Sequence, residues 1–242
     1  VGTLRRSELE RLGSVPFAHR GLHGGERVEN SGGAIAAAVA GGYGVELDVQ
    51  LSRDGEAMVF HDYELERLTA GQGAVAARTS AELQAFRFKA GAGTMPRLSE
   101  ALAVIAGRKP LLIEVKSPDR RVARLCAAVA RAVKAYEGSF GVMSFNPEVG
   151  AWFARHSPEV LRGLVVTENE RRGLRGRLER PIALWRARAD FLAYDIRDLP
   201  SRFAGAARDR GLPVYTWTVR SKPDRARAAA YADQIIFEAP PE

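Results

Sequence analysis

Seven ionisable residues fall at or near the ends of short apolar runs in the first half of the chain. They are His19 and Arg20, Glu46 and Asp48, His61, and Glu114 and Lys116. Glu46 and Asp48 stand two apart in GVELDVQ, so on a strand both point to one face. Glu114 and Lys116 repeat that spacing in LLIEVK. Close carboxylates repel unless a cation neutralises them or one takes a proton. Three carboxylates with no cysteine among them suit a hard, oxygen-preferring ion, Mg²⁺ or Ca²⁺, better than zinc or copper. Histidine titrates near neutral pH and can act as base or acid. The planar fork of Arg20 matches phosphate oxygens, and Lys116 adds a point charge. A strand carboxylate taken singly is most often solvated or paired with arginine, so the joint placement carries the reading. His23 and His156 read as ordinary loop and helix residues, and Glu29-Asn30-Ser31 as a helix start.

Groups drawn from four successive runs need a scaffold that brings strand ends to one rim. Strand candidates are Val15–His19, Gly44–Gln50, Ala57–His61, Leu111–Lys116, Phe140–Ser144, Gly163–Thr167, Phe191–Asp195, Pro213–Val219 and Gln234–Phe237. Between them lie helical candidates: Ser31–Ala40, Ser99–Ala106, Arg120–Tyr136, Pro147–Arg155, Leu174–Ala187 and Ser201–Arg210. Strand–helix alternation over 242 residues predicts an α/β protein, a closed (β/α)8 TIM-type barrel with its reactive groups where strands end. Nine strand candidates compete for eight places, so one lies outside the barrel or is not a strand. SRDGEA, between the second and third, is too short for a crossover helix, and Asp54-Gly55 reads as a turn. The interval from about 62 to 110 reads as an elaborated loop with a small helix at Ser80–Phe86, near the barrel mouth. The whole of 1–242 reads as a single catalytic barrel domain.

Lysine and arginine number 36 against 29 acidic residues, a formal charge of +7. Without zinc-finger spacing, an aromatic RNA-binding signature or basic heptads, this charge does not predict nucleic-acid binding. The single cysteine, Cys126, excludes an intrachain disulfide and a cysteine metal site. The N-terminal VGTLRRSELERLGS has no apolar core of signal-peptide length, and no run approaches ~20 apolar residues. A cytoplasmic protein is expected. The arginine-rich segment Glu168–Arg188 carries Leu174, Leu178, Ile182 and Trp185. It reads as a crossover helix with its apolar side on the barrel; the alternative is weak contact with a membrane surface.

HRG at 19–21, EN-S at 29–31, ELDV at 46–49, RDG at 53–55, VFHD at 59–62, PRLSE at 96–100, IEVK at 113–116, SF at 144–145 and WTV at 217–219 occur in this order. Together they resemble the glycerophosphodiester phosphodiesterase family, most densely from Phe17 to Ser117. The resemblance implies a barrel that hydrolyses a small-molecule phosphodiester to sn-glycerol 3-phosphate and an alcohol with a divalent cation. It implies His19 and His61 as the acid–base pair and Glu46, Asp48 and Glu114 as metal ligands. Arg20 and Lys116 would lie near the phosphate, and Trp217 would line the pocket. Two positions depart from the family pattern: Arg220 stands where asparagine is common, and Ile236-Phe237-Glu238 where Thr-Asp is common. The rival readings are a phosphodiesterase of lysophospholipids at membrane surfaces and a non-catalytic, basic anion-binding barrel.

Overall fold

The alternation in the second strand governs the architecture. Val45, Leu47 and Val49 pack outward with Ile35, Leu98 and Leu125 of the surrounding helices, which leaves Glu46 and Asp48 on the opposite, inner face. The structure, a computed structural model, describes residues 3–169 and 172–238. Its elements begin with α1 (Thr3–Leu12), β1 (Phe17–Ala18), α2 (Gly32–Ala40), β2 (Gly44–Leu51) and β3 (Ala57–Val59). They continue with α3 (Ser80–Ala85), α4 (Leu98–Ile105), β4 (Leu111–Val115), α5 (Ala123–Val133), β5 (Phe140–Ser144) and α6 (Pro147–His156). The last are β6 (Leu161–Val166), α7 (Leu174–Ala187), β7 (Phe191–Asp195), α8 (Arg202–Asp209), β8 (Val214–Val219), α9 (Lys222–Tyr231) and β9 (Gln234–Phe237).

Eight of the nine strands are parallel and close on themselves, because β1 pairs with both β2 and β9. This is the (β/α)8 TIM barrel the alternation predicts. The ninth candidate is β3, which pairs antiparallel with the end of β2, Val49 opposite Val59 and Leu51 opposite Ala57. It is not a barrel strand. It takes up the edge of β2 that the two-residue β1 leaves open, and so returns the chain to the same rim. Side chains cap the helices where the chain turns from strand to helix: Ser31 accepts from Ala34 N before α2, and Asn146, ahead of Pro147, accepts from Glu148 N before α6.

The barrel interior is layered. Phe17, Leu112, Met143, Leu161, Val165, Phe191, Tyr215 and Ile236 fill its lower part, each such side chain contributing ~1.5–3 kcal/mol on burial. Leu9 and Leu12 of α1 pack into the same cluster and close its base. Arg5 ties α1 down, donating to both carboxylate oxygens of Asp190 and to the carbonyls of Pro158 and Val160. One pleat above, the interior turns polar: Glu46 sits opposite Leu112, and Asp48 opposite Glu114. Met58 of β3, Leu83 of α3 and Phe60, Leu65, Val75 and Met95 of the loops before β4 form, with Val28 and Phe88, a separate buried cluster.

Three sequence expectations change. α1 and α9 are helices that the hydrophobic pattern did not predict. α7 spans the expected residues, but its apolar stripe does not face the barrel. Gly176, Ala187 and the half-buried Ala183 and Leu184 face inward, while Leu174, Leu178, Ile182 and Trp185 are exposed. No described helix is long and apolar enough to cross a membrane.

Candidate active site

Gly21 makes the first turn of the rim. Its φ is +77°, and a Cβ there would lie 2.7 Å from the backbone of Ala34. Arg20 and Asn30 also take left-handed backbone angles, at φ 56° and 59°. This tight path lets His19 and Arg20 turn back over the end of β2. Gln50, in line with Glu46 and Asp48, donates from its side chain to the carbonyls of Phe60 and Asp62 and so pins the segment that carries His61.

The strands bring Glu46, Asp48 and Glu114 together, with one carboxylate oxygen from each lying within 4.8 Å of the others. All three are buried. Burial, with Asp48 and Glu114 alongside, drives the Glu46 carboxyl well above its usual range. Burial also raises Glu114, against the pull of Lys116. Asp48 is held low in spite of its burial, because Lys116 and Arg20 flank it. Glu46 Oε1 is buried without a hydrogen-bond donor. Three convergent carboxylates, with one oxygen unpartnered, fit a hard divalent cation. Cations surround them: Arg20 Nε lies 3.3 Å from Asp48 and its backbone N–H donates to Glu46 at 3.0 Å, while Lys116 Nζ donates to Glu114 at 3.0 Å.

The two histidines flank this cluster, and each carries a carboxylate on Nδ1. His19 Nδ1–H donates to Glu238 at 2.8 Å, and its Nε2 faces Glu46 at 3.8 Å. His61 Nδ1–H donates to Asp62 at 2.7 Å. An acceptor on Nδ1 fixes the ring and leaves the Nε2 lone pair for other work. Each carboxylate is in turn held by arginine: Glu238 by Arg220, and Asp62 by Arg67. Arg67 also reaches Glu29 at 2.7 Å, and Glu29 accepts from Arg20 at 2.7 Å. Asn30 donates to Asp48 at 2.9 Å. Burial lowers the His19 pKa more strongly than Glu238 raises it.

His19, Arg20, Glu46, His61, Glu114, Lys116 and Trp217 all line one cavity of about 420 Å³, with Asp48 buried just beneath it. Trp217 meets Phe145 edge-on at 5.6 Å and forms an apolar wall. All eight residues singled out in the sequence therefore converge. The sequence did not assign Asp62, Arg67 or Glu238 as partners of these groups. The two departures from the family pattern, Arg220 and Glu238, turn out to be one ion pair. Asp195 and Arg197 on the far wall also went unassigned. Asp54, read as a turn residue, also accepts from Ser80 N and Oγ at the start of α3.

The sequence profile of the glycerophosphoryl diester phosphodiesterase family matches residues 19–239. A glycerophosphodiester phosphodiesterase of Bacillus altitudinis is 38% identical over 107 residues, 41% of this chain and 43% of that protein. One from Caldanaerobacter subterraneus subsp. tengcongensis is 28% identical over 243 residues, 94% of this chain and 95% of that protein. Among solved structures, an Oleispira antarctica phosphodiesterase in complex with the product sn-glycerol-3-phosphate superposes with a TM-score of 0.80. It is 24% identical, and the match covers 93% of this chain and 94% of that one, which shows a shared fold. With a profile match that runs from His19 through Glu238, the chain belongs to the glycerophosphoryl diester phosphodiesterase family.

Proposed function

We propose that this protein hydrolyses glycerophosphodiesters to sn-glycerol 3-phosphate and an alcohol, using His19 and His61 as an acid–base pair beside a divalent cation, Mg²⁺ or Ca²⁺. The observation that carries the reading is the meeting, in one cavity, of three buried carboxylates and two histidines each backed by a carboxylate. Glu46, Asp48 and Glu114 would hold the ion, which when bound supplies positive charge to the phosphate oxygens. Arg20 and Lys116 add fixed charge on either side of the phosphate. One histidine takes the proton of the attacking hydroxyl, and the other gives a proton to the departing alcohol oxygen. Glu238 and Asp62 hold the two rings in the tautomer these transfers need. Trp217 would bound the pocket on its apolar side. The interval 62–110 belongs to the same catalytic unit, since it carries Asp62 and Arg67 to the site. Possession of the complete set favours an enzyme over an anion-binding barrel without turnover.

The test is release of glycerol 3-phosphate from glycerophosphocholine with Mg²⁺, with Ca²⁺ and with chelator. Metal-dependent release that disappears in His19→Ala and His61→Ala supports the reaction and the assignment. No release with either metal retires glycerophosphocholine as substrate. Wild-type turnover in either variant removes that histidine from the mechanism.

A further inference from the structure

We infer that the outward face of α7, together with the arginine-lined basin at its start, is a docking surface for an anionic phospholipid bilayer. Leu174, Leu178, Ile182 and Trp185 follow one another at spacings of four, four and three, and so form one stripe along the helix. Their relative exposures are 78, 69, 63 and 76%. Four large apolar side chains this open, in one row, form a patch rather than the scattered exposure of an ordinary surface. The barrel does not need them, because Gly176, Ala183, Leu184 and Ala187 already make the inward contact.

Charge complementarity selects the occupant. α7 contains Arg175, Arg177, Arg180 and Arg186 and a single acid, Glu179. At its N-terminal end, Arg172, Arg177, Arg180, Arg197 and Arg202 line a basin of about 630 Å³ whose acids, among the described residues, are Glu168 and Asp198. Arg197 lines the candidate active-site cavity as well, so the basin adjoins the catalytic mouth. Several of these arginines are paired. Arg175 meets Glu179 at 2.6 Å in an exposed pair that is worth little. Arg172 meets Asp198 at 3.3 Å, Arg180 meets Glu168 at 3.2 Å and Arg197 meets Asp195 at 2.5 Å; in these the acid is buried or half-buried, while Arg172 and Arg197 stay open to solvent. A second copy of the chain would set two arginine-rich rims against each other. A bilayer with anionic headgroups accepts the apolar stripe into its acyl boundary and neutralises the guanidinium groups beside it. Trp185 is of the type that favours the headgroup level.

The binding readout needs no hydrolysis, so it stands or falls apart from the proposed reaction, and turnover serves only as a control on folding. The 242-residue chain is floated with phosphatidylcholine vesicles containing phosphatidylglycerol at about one part in three, or none. Salt is set at about 50 mM and about 500 mM. The wild type should float only with anionic vesicles and release at high salt. Leu178→Asp and Ile182→Asp should each lower partitioning about tenfold or more, with unchanged melting temperature and unchanged turnover of a water-soluble substrate. Tryptophan emission should shift to the blue on binding, and Trp185→Phe should remove the shift. Absence of flotation at low salt overturns the inference. So does flotation that both aspartate variants retain. Self-association in sedimentation velocity that these variants abolish, without vesicle binding, would assign the face to a second copy instead.

Discussion

Glu238 and Asp62 do equivalent work for different histidines, and the two variants should report it differently from loss of the ring itself. Replacing His19 or His61 by alanine should lower kcat by ~10²-fold or more, read as glycerol 3-phosphate release. Glu238→Gln keeps an acceptor but loses the charge. It should lower kcat ~10-fold or more while KM changes little, since the residue acts through His19 rather than on substrate. Glu46 makes an opposite kind of prediction. Its raised pKa means that the charged form destabilises the metal-free fold. Metal-free Glu46→Gln should therefore melt above metal-free wild type, and adding Mg²⁺ or Ca²⁺ should raise the melting temperature of the wild type but not of the variant. That the two histidines and the three carboxylates would meet was legible because spacing and strand ends announce it. Glu238 was not, because its partnership with His19 joins positions 219 residues apart in sequence. Only its departure from the family pattern marked it.

Elements were legible in proportion to how strongly burial patterns them. β2, β4, β5 and β7 lie where their apolar runs put them, since each is buried along most of its length. α1 and α9 escaped because TLRRSELERL and KPDRARAAAY carry few large apolar residues to set a period. For α7 the period was read correctly and its direction was not: periodicity shows that a stripe exists, not which neighbour it faces. The short SRDGEA link marked β3 as irregular, but its antiparallel pairing was not assigned, because antiparallel return and parallel continuation look alike in a three-residue apolar run. The turn between β1 and α2 has no such tolerance. Gly21→Ala would place a methyl group at φ +77° and 2.7 Å from Ala34. It should cost ~1–3 kcal/mol, measured by thermal or urea unfolding, and should displace His19 and Arg20 enough to lower turnover.

Across the whole molecule, the chain of charges from His61 through Asp62, Arg67, Glu29 and Arg20 to Asp48 ties the elaborated interval to the barrel. Burial alone would raise the Asp62 carboxyl, but the Arg67 and His61 hydrogen bonds prevail and hold it at about 2. An unfolded aspartate titrates near ~3.9. The stability this group contributes is therefore complete above about pH 4 and lost as pH falls through about 2. Acid unfolding should begin in that window, and Asp62→Asn should flatten the slope there. The base of the barrel carries a separate lesson for anyone who trims the gene. The family match begins at His19, beyond the stretch where Leu9 and Leu12 seal the interior and Arg5 ties α1 down. A version cut to the matched boundaries would keep every group of the candidate active site, yet lose β1 with Phe17 and open Phe191 and Tyr215 to water from below. Such a fragment would be expected to precipitate during expression, and its silence in an assay would be a fault of carpentry rather than of chemistry.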